Sequence, residues 1–455
     1  MPAVQEQFNH GVALLHSFAY SAAEDTFHRV AERDPHCAIA HWGIAMSYFH
    51  QLWDPPLTPS SFQVAQKEIQ LAQQIGAASE RERQFIRALN FIYQDAASSS
   101  YATRAENYEL AMQDLASKNP TDPEARVFYA LALLANAAPA DKNHARQKEA
   151  ADILEPLFHE FPQHPGVPHY LIHACDNAEL GQRGLPAARA YSQIAPSAPH
   201  ALHMPSHIFT RLGLWKDSID ANLAAQRAAH QQGDIGEELH AMDYLVYAYL
   251  QIGRDDDAAK VIQQLKNIGN LDQTDFKVAY ASTAMPIRYA VERHKWADAA
   301  AIIAPSTAPA HVAAIAVWSH GIGLARAGHS ASAQKDVAQL REIERQLRAS
   351  GRDYWAAQTN ILRREIEAWS SEADQKREEA LATMRAAADD EDSIEKLPVT
   401  PGPILPAREQ LGDLLLEQKR PDLALKEFKL VLANAPERRG ALQGVAAATA
   451  LSGRN

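Results

Sequence analysis

Two histidine pairs with a four-residue spacing stand out in the sequence: His169 with His173, and His203 with His207. On a helix, residues i and i+4 project from the same face, so each pair would present two imidazole rings side by side. Neutral imidazole is the commonest metal ligand in proteins, and this spacing is the usual way in which a helix offers two ligands. The four rings therefore predict a site for a divalent transition metal ion. Zinc, copper, iron and nickel all accept nitrogen ligands, and the sequence does not separate them.

The two pairs are 34 residues apart, which is the length of one tetratricopeptide repeat, a pair of packed helices. If the pairs occupy equivalent helices of successive repeats, the four rings converge on one groove. The register of the first pair is less certain, because the connection 176–185 that follows it is long and aligning the pairs requires about three extra residues there. Pro205 lies between His203 and His207, and a proline there either kinks the helix or begins a new one.

Other polar and aromatic residues near the two pairs are candidates for the same site. We expect four residues to act as additional ligands or to orient the imidazole rings: His240, Asp243, Asp176 and Glu237. We expect three residues to bind a ligand in the groove: Arg211, Tyr247 and Trp42. The alternative is that the histidines are structural, because a buried imidazole commonly does no more than hydrogen-bond a neighbouring carbonyl.

The rest of the chain has the pattern of a helical scaffold, with Ala- and Leu-rich windows of 3.6-residue periodicity between Gly, Pro and Asp. The clearest repeat spans 405–438. There the small residues Gly412 and Ala424 would let two helices approach closely, Phe428 would fill the space between them, and Pro436 would end the second helix. This is the pattern of a tetratricopeptide repeat.

The same spacing recurs near the N-terminus, at Gly11, Ala23 and Phe27. A glycine followed five residues later by a small residue marks three further turns between helices: Gly213 with Ser218, Gly253 with Ala258, and Gly328 with Ala333. These signals predict an all-α fold, a right-handed tetratricopeptide-repeat superhelical solenoid of about seven to ten helix pairs.

We predict that residues 1–455 form a single solenoid. The N-terminal repeats would span 4–120, the central repeats with the histidine-rich groove 121–350, and the C-terminal repeats 351–455. Within the last block, 388–404 is acidic and then rich in proline, which predicts an irregular segment that could cover the groove.

Composition excludes several classes of protein. The formal net charge is −12 and no basic stripe offsets it, which argues against nucleic acid as a partner. No apolar run approaches the length of a membrane span. Cys37 and Cys175 are too few for a disulfide framework or a cysteine-based zinc site. The first residues lack the features of a signal peptide, so we expect a cytoplasmic protein, although a chain whose leader had been removed would have the same sequence.

Several motifs carry a resemblance to a known family. They are His200–Gly213 (HALHMPSHIFTRLG), His164–His173 (HPGVPHYLIH), Asp243–Gln251 (DYLVYAYLQ), His41–Ala45 (HWGIA), Val399–Pro403 (VTPGP) and Pro406–Glu409 (PARE). Over most of its length the chain resembles a family of largely uncharacterised bacterial tetratricopeptide proteins. The resemblance implies an all-α repeat fold and brings no established reaction with it.

We therefore predict a repeat protein whose concave, histidine-rich pocket, built mainly between 165 and 250, binds a metal ion, a small ligand or a peptide. Two alternatives remain open. The protein could be a metal-dependent, hydrolase-like enzyme in which the ion activates water. It could also be a pure protein–protein interaction scaffold with structural histidines, which is the common use of such solenoids. The expected partner is a peptide, a protein or a small molecule in the groove.

Overall fold

The computed structural model describes residues 2–52, 57–305 and 307–453, and within these ranges every regular element is a helix. In chain order the helices are α1 (Pro2–His16), α2 (Tyr20–Arg33), α3 (Ala38–Ser47), α4 (Pro59–Ile75), α5 (Glu80–Tyr93), α6 (Tyr101–Lys118), α7 (Pro123–Ala135), α8 (Ala145–Glu160), α9 (Gly166–Cys175), α10 (Gly181–Ile194), α11 (Pro199–His203), α12 (Pro205–Arg211), α13 (Trp215–Gln232), α14 (Ile235–Gln251), α15 (Asp255–Asn267), α16 (Phe276–Val291), α17 (Trp296–Ala300), α18 (Ala310–Arg326), α19 (Ser330–Ala349), α20 (Asp353–Ala373), α21 (Arg377–Asp392), α22 (Ala407–Glu417), α23 (Pro421–Asn434) and α24 (Arg439–Ser452).

Most consecutive helices are joined by short connections and pack against one another, so that chain neighbours run antiparallel. The all-α helix-pair fold predicted from the sequence is confirmed. If α11 and α12 count as one interrupted helix, the described residues contain eleven pairs and a final single helix, slightly more than the seven to ten predicted. Several pairs turn at a left-handed residue that is not glycine, namely Phe18, His294, Gln375 and Lys419.

Close helix packing explains the small residues of the repeat pattern. A Cβ atom added at Gly412 would lie 2.6 Å from the ring of Phe428, and one added at Gly11 would lie 2.7 Å from the ring of Phe27. Both rings are fully buried between helices. Each of these glycines therefore lets an aromatic ring fill the space between neighbouring helices, as predicted.

The predicted glycine turns are also present. Gly213, Gly253 and Gly328 have φ values of +68°, +72° and +82°, in the left-handed region where glycine pays no steric cost. Each lies shortly after the end of a helix and before the next one begins. These three positions therefore mark boundaries between paired helices.

The chain divides into two compact units, residues 1–208 (unit 1) and 209–455 (unit 2). The division falls inside the predicted central block 121–350, directly after the second histidine pair. Unit 1 contains both histidine pairs with Asp176 and Trp42. Unit 2 contains the other candidates: Arg211, Glu237, His240, Asp243 and Tyr247.

In unit 2 the irregular segment differs from the prediction in its limits. Helix α21 continues to Asp392, so the acidic residues that we expected to begin the segment at 388 form the last helical turn. The segment runs from Ser393 to Pro406, where α22 follows.

Three helices of unit 2 hold this segment by hydrogen bonds. The Tyr244 hydroxyl of α14 donates to the carbonyl of Thr400 at 3.2 Å, and Arg288 of α16 donates to the carbonyl of Pro403 at 2.7 Å. On α20, the Tyr354 hydroxyl accepts the backbone N–H of Leu397 at 3.3 Å. The segment is therefore a fixed part of unit 2. In the part of the chain that the structure describes, no helix has the length and apolar character needed to cross a membrane.

Candidate metal centre

Three histidines of unit 1 bring their ring nitrogens together. His169 and His173 lie one turn apart on α9, and their Nε2 atoms are 3.2 Å apart. His200, in the first turn of α11, places its Nε2 atom 3.2 Å from that of His169. One ring nitrogen from each of the three lies within 4.8 Å of the other two. We call these residues the three-histidine cluster.

These distances match the ligand spacing around a metal ion. Zinc binds histidine nitrogen at about 2.0 to 2.1 Å, and in tetrahedral geometry two such ligands are then about 3.3 Å apart. The two measured separations of 3.2 Å are close to that value. The ring nitrogens of the third pair, His173 and His200, lie within 4.8 Å of each other. The cluster could therefore hold one ion through three nitrogens.

The hydrogen bonding of His169 fixes which of its nitrogens faces the cluster. Its Nδ1 atom lies 2.6 Å from the carbonyl oxygen of His16, which can only accept, so Nδ1 carries the proton and Nε2 carries the lone pair. Burial lowers the pKa of His169 well below its usual value, and the neighbouring His173 and His200 lower it further. His169 is thus a neutral imidazole with its lone pair directed at the cluster, which is the form that binds a metal.

The second predicted pair lies beside this cluster. The Nε2 atoms of His203 and His207 are 3.0 Å apart. The His207 ring centre is 6.1 Å from that of His173, and the His203 ring centre is 6.4 Å from that of His200. Five imidazoles therefore lie next to one another in unit 1.

Asp176 orients the second pair. Its Oδ2 atom lies 2.9 Å from Nδ1 of His207 and accepts the proton of that nitrogen, which leaves Nε2 of His207 facing His203. A carboxylate behind a histidine is a common arrangement at metal sites, because it fixes the tautomer and makes the imidazole more basic. Asp176 thus stands where we expected a residue that orients the imidazoles.

Pro205 does not separate His203 from His207. Helix α11 ends at His203 and α12 begins at Pro205, but Met204 between them keeps right-handed helical angles, with φ −51° and ψ −37°. Pro205 takes the first position of α12, where a proline costs no helical hydrogen bond. The four-residue spacing therefore still places both rings on one side.

His200 was not among the ligands predicted from the sequence. His203 was expected as the counterpart of His169, at an offset of 34 residues, whereas the ring nitrogen 3.2 Å from His169 belongs to His200, at an offset of 31. This difference of three residues is the register uncertainty noted for the long connection after α9. The i, i+3 spacing of His200 and His203 was the available signal, since residues three apart also share a helix face.

An aromatic wall covers the three-histidine cluster. Phe18, in the turn between α1 and α2, lies with its ring centre 4.4 Å from that of His169, 5.8 Å from His173 and 5.5 Å from His200. On another side of His169, the buried ring of Tyr191 stacks at 5.2 Å. This wall limits the access of water, which strengthens electrostatic interactions inside the cluster. Nothing in the sequence pattern marked Phe18, because it is close to the histidines only in the tertiary structure.

A hydrogen-bonded network supports His16, whose carbonyl orients His169. His16 Nε2 lies 2.8 Å from one oxygen of Glu124, His164 Nε2 lies 3.2 Å from the other, and His16 Nδ1 lies 3.0 Å from the hydroxyl of Tyr170. Burial acts to raise the pKa of Glu124, but His16 and His164 hold it well below its usual value. Since each oxygen of the carboxylate has an imidazole partner, this network is complete as a set of hydrogen bonds.

The residues expected to bind a ligand in the groove lie in packed or ion-paired positions. Trp42 is only 4% exposed and packs edge-on against Phe128, so it belongs to a helix interface in unit 1. Tyr247 is also 4% exposed, in the interior of unit 2. Arg211 forms an ion pair with Glu395 of the irregular segment at 3.3 Å. None of these three positions offers an open binding surface.

The remaining candidates lie in unit 2. Glu237 forms an ion pair with Lys277 at 2.6 Å. Asp243 is fully buried on α14, 3.6 Å from the guanidinium of Arg288; burial raises its pKa to about 6, although Arg288 acts in the opposite direction. His240 is buried on the same helix. Their contribution to a metal site stays a prediction.

Comparison with known proteins finds similarity only at the level of structure. No protein-family model matches the chain, and no curated protein matches it in sequence. Among solved structures, yeast Tom70 is similar with a TM-score of 0.43 and 12% identity, covering 100% of this chain and 96% of that one. A human IFIT1 dimer with m7Gppp-AAAA has a TM-score of 0.40 and 11% identity, covering 97% and 95%. The TPR domain of P58(IPK) has a TM-score of 0.23 and 12% identity, covering 99% of both chains.

What the structure itself establishes is an all-α architecture of packed helix pairs within the described residues. Because identities are low and the TM-scores lie below 0.5, these similarities carry no information on ligand or activity.

Proposed function

We propose that this protein is a metal-binding repeat protein whose unit 1 holds a divalent transition metal ion in the three-histidine cluster, beside the pair His203 and His207. The observation that carries the proposal is the convergence of the Nε2 atoms of His169, His173 and His200, with neighbouring nitrogens 3.2 Å apart.

A bound ion satisfies this arrangement better than hydrogen bonds among the rings. Nε2 of His169 carries a lone pair and can only accept, yet it faces two other imidazole nitrogens at equal distance. Two N–H groups sharing one lone pair make weaker bonds than each would make alone. A single cation accepts a lone pair from each of the three rings, and the ordering of His169 by the His16 carbonyl prepares the site for it.

The ligand chemistry favours an ion that prefers nitrogen. The cluster offers three imidazole nitrogens, and nitrogen ligands of this kind suit zinc, copper, nickel and iron. Cys175 is buried at the end of α9, and burial raises the pKa of its thiol to about 12, so it does not provide a thiolate ligand. A hard ion such as magnesium or calcium would require oxygen ligands instead.

A second candidate function is catalysis at the same site. Three nitrogen ligands leave one tetrahedral position open, which is the arrangement of catalytic zinc sites. A transition metal held by these three histidines would supply a water molecule of lowered pKa, which is the chemistry that hydrolysis of an ester or amide requires. The Asp176-oriented His207 lies beside the cluster, where it could act either as a further ligand or as a base.

The decisive experiment is elemental analysis of the full chain, produced without a polyhistidine tag. We expect about one equivalent of a transition metal per chain and a loss of more than tenfold in affinity for the variant His169→Asn with His200→Asn. Asparagine at 169 keeps a donor for the His16 carbonyl while removing the Nε2 ligand, so the variant tests ligation more than folding.

A matched control replaces two exposed histidines of the same unit, His28→Ala with His36→Ala, and should keep the metal. A wild-type protein that contains no metal, binds no added zinc and gains no thermal stability from it would contradict the proposal. Hydrolysis of a simple activated ester by the loaded protein, lost in the double asparagine variant, would support the catalytic alternative.

The proposal leaves room for a peptide or protein partner, since helical repeat proteins commonly bind extended segments. If partner binding persisted after chelation, the partner would bind at other surfaces and the histidines would serve metal binding alone. We also propose that the chain belongs to the bacterial family that the motif His200–Gly213 resembles. That motif supplies three of the five clustered histidines.

A further inference from the structure

Unit 2 contains a cavity of about 450 Å³ that is unrelated to the histidine cluster. It is bounded by the end of α14, the start of α15, residues 292–295 after α16, and the helices α22 and α24. This volume lies in the range of small-molecule sites. Its walls combine apolar side chains, Leu250, Leu405 and Leu416, with several charged groups.

Most of the charged groups that line this cavity are already neutralised. Glu409 accepts two hydrogen bonds from Arg438, at 2.7 and 3.0 Å, and Glu292 accepts one from the same guanidinium at 2.8 Å. Asp255 forms ion pairs with Arg439 at 2.8 Å and with Arg293 at 3.4 Å. These pairs make the wall of the cavity rigid and leave little net charge on it.

Asp413 is the exception among the carboxylates of the wall. It lies on α22, one turn after Glu409, and among the described residues it has neither a hydrogen bond nor an ion pair. The nearby guanidinium of Arg326 is engaged by Glu417 at 2.8 Å. Lys295 is exposed at the cavity and is likewise without an ion pair in the described part of the chain. An ionised carboxylate that is partly buried in a half-open cavity with apolar side chains in its wall is stabilised when a cation neutralises it.

We propose that this cavity binds a small organic cation, with Asp413 as the partner of its ammonium or guanidinium group. The leucine side chains of the wall receive the alkyl chain that bears the cation. Lys295 at the mouth repels a second cationic group and attracts an anionic one, so a ligand with a single cationic end fits best.

The same geometry gives binding a characteristic dependence on pH. Burial, followed by the charge of Glu409, raises the pKa of Asp413 to about 8, with Glu417 acting in the same direction and Arg326 and Arg438 in the opposite one. The carboxyl is therefore mainly protonated at pH 7 and must release its proton when a cation binds. His294 of the same wall has a pKa lowered by burial and by Arg326, so it stays neutral in this range, and Lys295 stays charged.

The test is calorimetric titration of the full chain with agmatine and with pentylamine, which carry a guanidinium and a single ammonium group. Pentan-1-ol is the uncharged control ligand. We expect saturable binding of both cations, an affinity that rises between pH 6 and pH 8, and release of up to one proton per ligand. Asp413→Asn should weaken binding about tenfold or more, since a charge-assisted bond is lost. The control Asp298→Asn removes an exposed carboxylate of the same unit and should change nothing.

A second variant, Ala447→Phe, fills the cavity from α24 and leaves Asp413 in place, so it should also abolish binding. Far-ultraviolet circular dichroism checks that both variants keep their helix content. A further titration uses the peptide acetyl-Gly-Lys-Gly-amide. If the peptide bound in a way that required Asp413 while the free amines did not, the cation would be the side chain of a protein and not a small molecule. Equal binding of pentan-1-ol, or amine binding unchanged by Asp413→Asn, would overturn the proposal.

Discussion

The two units bury polar groups in different ways. In unit 1, imidazole rings face one another through their Nε2 atoms at 3.0 to 3.2 Å. In unit 2, the fully buried guanidinium of Arg438 faces groups of opposite charge, the carboxylates of Glu409 and Glu292. Arg408 is surrounded in the same way by Asp389, Asp392 and Glu427.

This difference separates a candidate binding site from a structural network. Opposite charges neutralise one another, so the arginine network needs no further component. Its role is to stabilise unit 2. Like groups that face one another can share a third component, and we propose that in unit 1 this component is a metal ion. We therefore expect substitutions of the five clustered histidines and of the two buried arginines to have different effects on stability. We expect metal removal to affect the histidine site alone.

The largest effect is expected when the arginine network is broken. Arg438→Ala leaves the carboxylates of Glu409 and Glu292 buried without their main partner, and we expect the free energy of unfolding to fall by about 3 to 5 kcal/mol. Urea unfolding of the full chain, followed by circular dichroism, measures this loss. Chelators should not change it, because no metal takes part.

The control for that measurement is Arg345→Ala, which removes an exposed ion pair with Glu342. We expect a change within about 1 kcal/mol. If the two variants were equally stable, the buried network would have no special role in unit 2.

The next effect concerns the metal. At a free zinc concentration about 100 times the dissociation constant, we expect unfolding of unit 1 to cost about 2.7 kcal/mol more than in the presence of a chelator. The variant His200→Asn should lose most of this gain, while its stability in the chelator should stay near that of the wild type. A gain that persists in His200→Asn would remove His200 from the ligand set.

A third prediction uses a region of unit 2 where like groups interact. Glu365 is buried and Glu391 is partly buried. Burial, and then the charge of Asp392, raises the pKa of Glu391 to about 8, and burial, followed by the charge of Glu391, raises that of Glu365. A proton, instead of a metal, satisfies these carboxyls.

Because the pKa of Glu391 rises on folding from its usual 4.5, its contribution to stability is complete below pH 4.5 and is lost as the pH rises through 8. We expect the free energy of unfolding to fall by up to about 1.4 kcal/mol per pH unit in this window. Urea titrations at pH 5.5 and pH 7.5 test this, and Glu391→Gln should flatten the dependence. Glu342→Gln, at an exposed site, should leave the slope unchanged.

The smallest effect is expected for the residue behind the second histidine pair. Asp176→Asn removes the carboxylate that orients His207, and we expect metal affinity to fall about tenfold. Competition titrations with a fluorescent zinc chelator measure this. Asp152→Asn removes a more exposed carboxylate paired with Arg183 and serves as the control. Unchanged affinity in Asp176→Asn would confine the site to the three-histidine cluster.

Much of the fold could be predicted because its signals are local. Gly412 with Phe428, and Gly11 with Phe27, are recognisable from spacing, since a small residue and a bulky one must alternate wherever two helices pack closely. The left-handed conformations of Phe18 and Lys419 could not be predicted, because packing imposes them on residues that do not favour them. The repeats that contain these turns were recognisable all the same, from Gly11 and Gly412.

The candidate site was predictable in part. The i, i+4 spacing identified His169 with His173 and His203 with His207, since helical geometry alone places such residues side by side. The partner of His169 depends on the register between α9 and α11, which the length of the intervening connection sets. Trp42 and Tyr247 were assigned to a groove, but they pack in the interior, because aromatic residues at helical spacing fit equally well between helices.

The sequence by itself determined the all-α repeat architecture and the face that each histidine pair shares, because both follow from periodicities within single helices. Only the tertiary structure decided that His200 completes the cluster, that Phe18 covers it and that the His16 carbonyl sets the tautomer of His169. It also decided that Asp413 lines a cavity without an ion pair among the described residues. Each of these contacts joins residues far apart in the chain or on different helices. Their distances depend on helix packing and connection lengths, which no local pattern specifies.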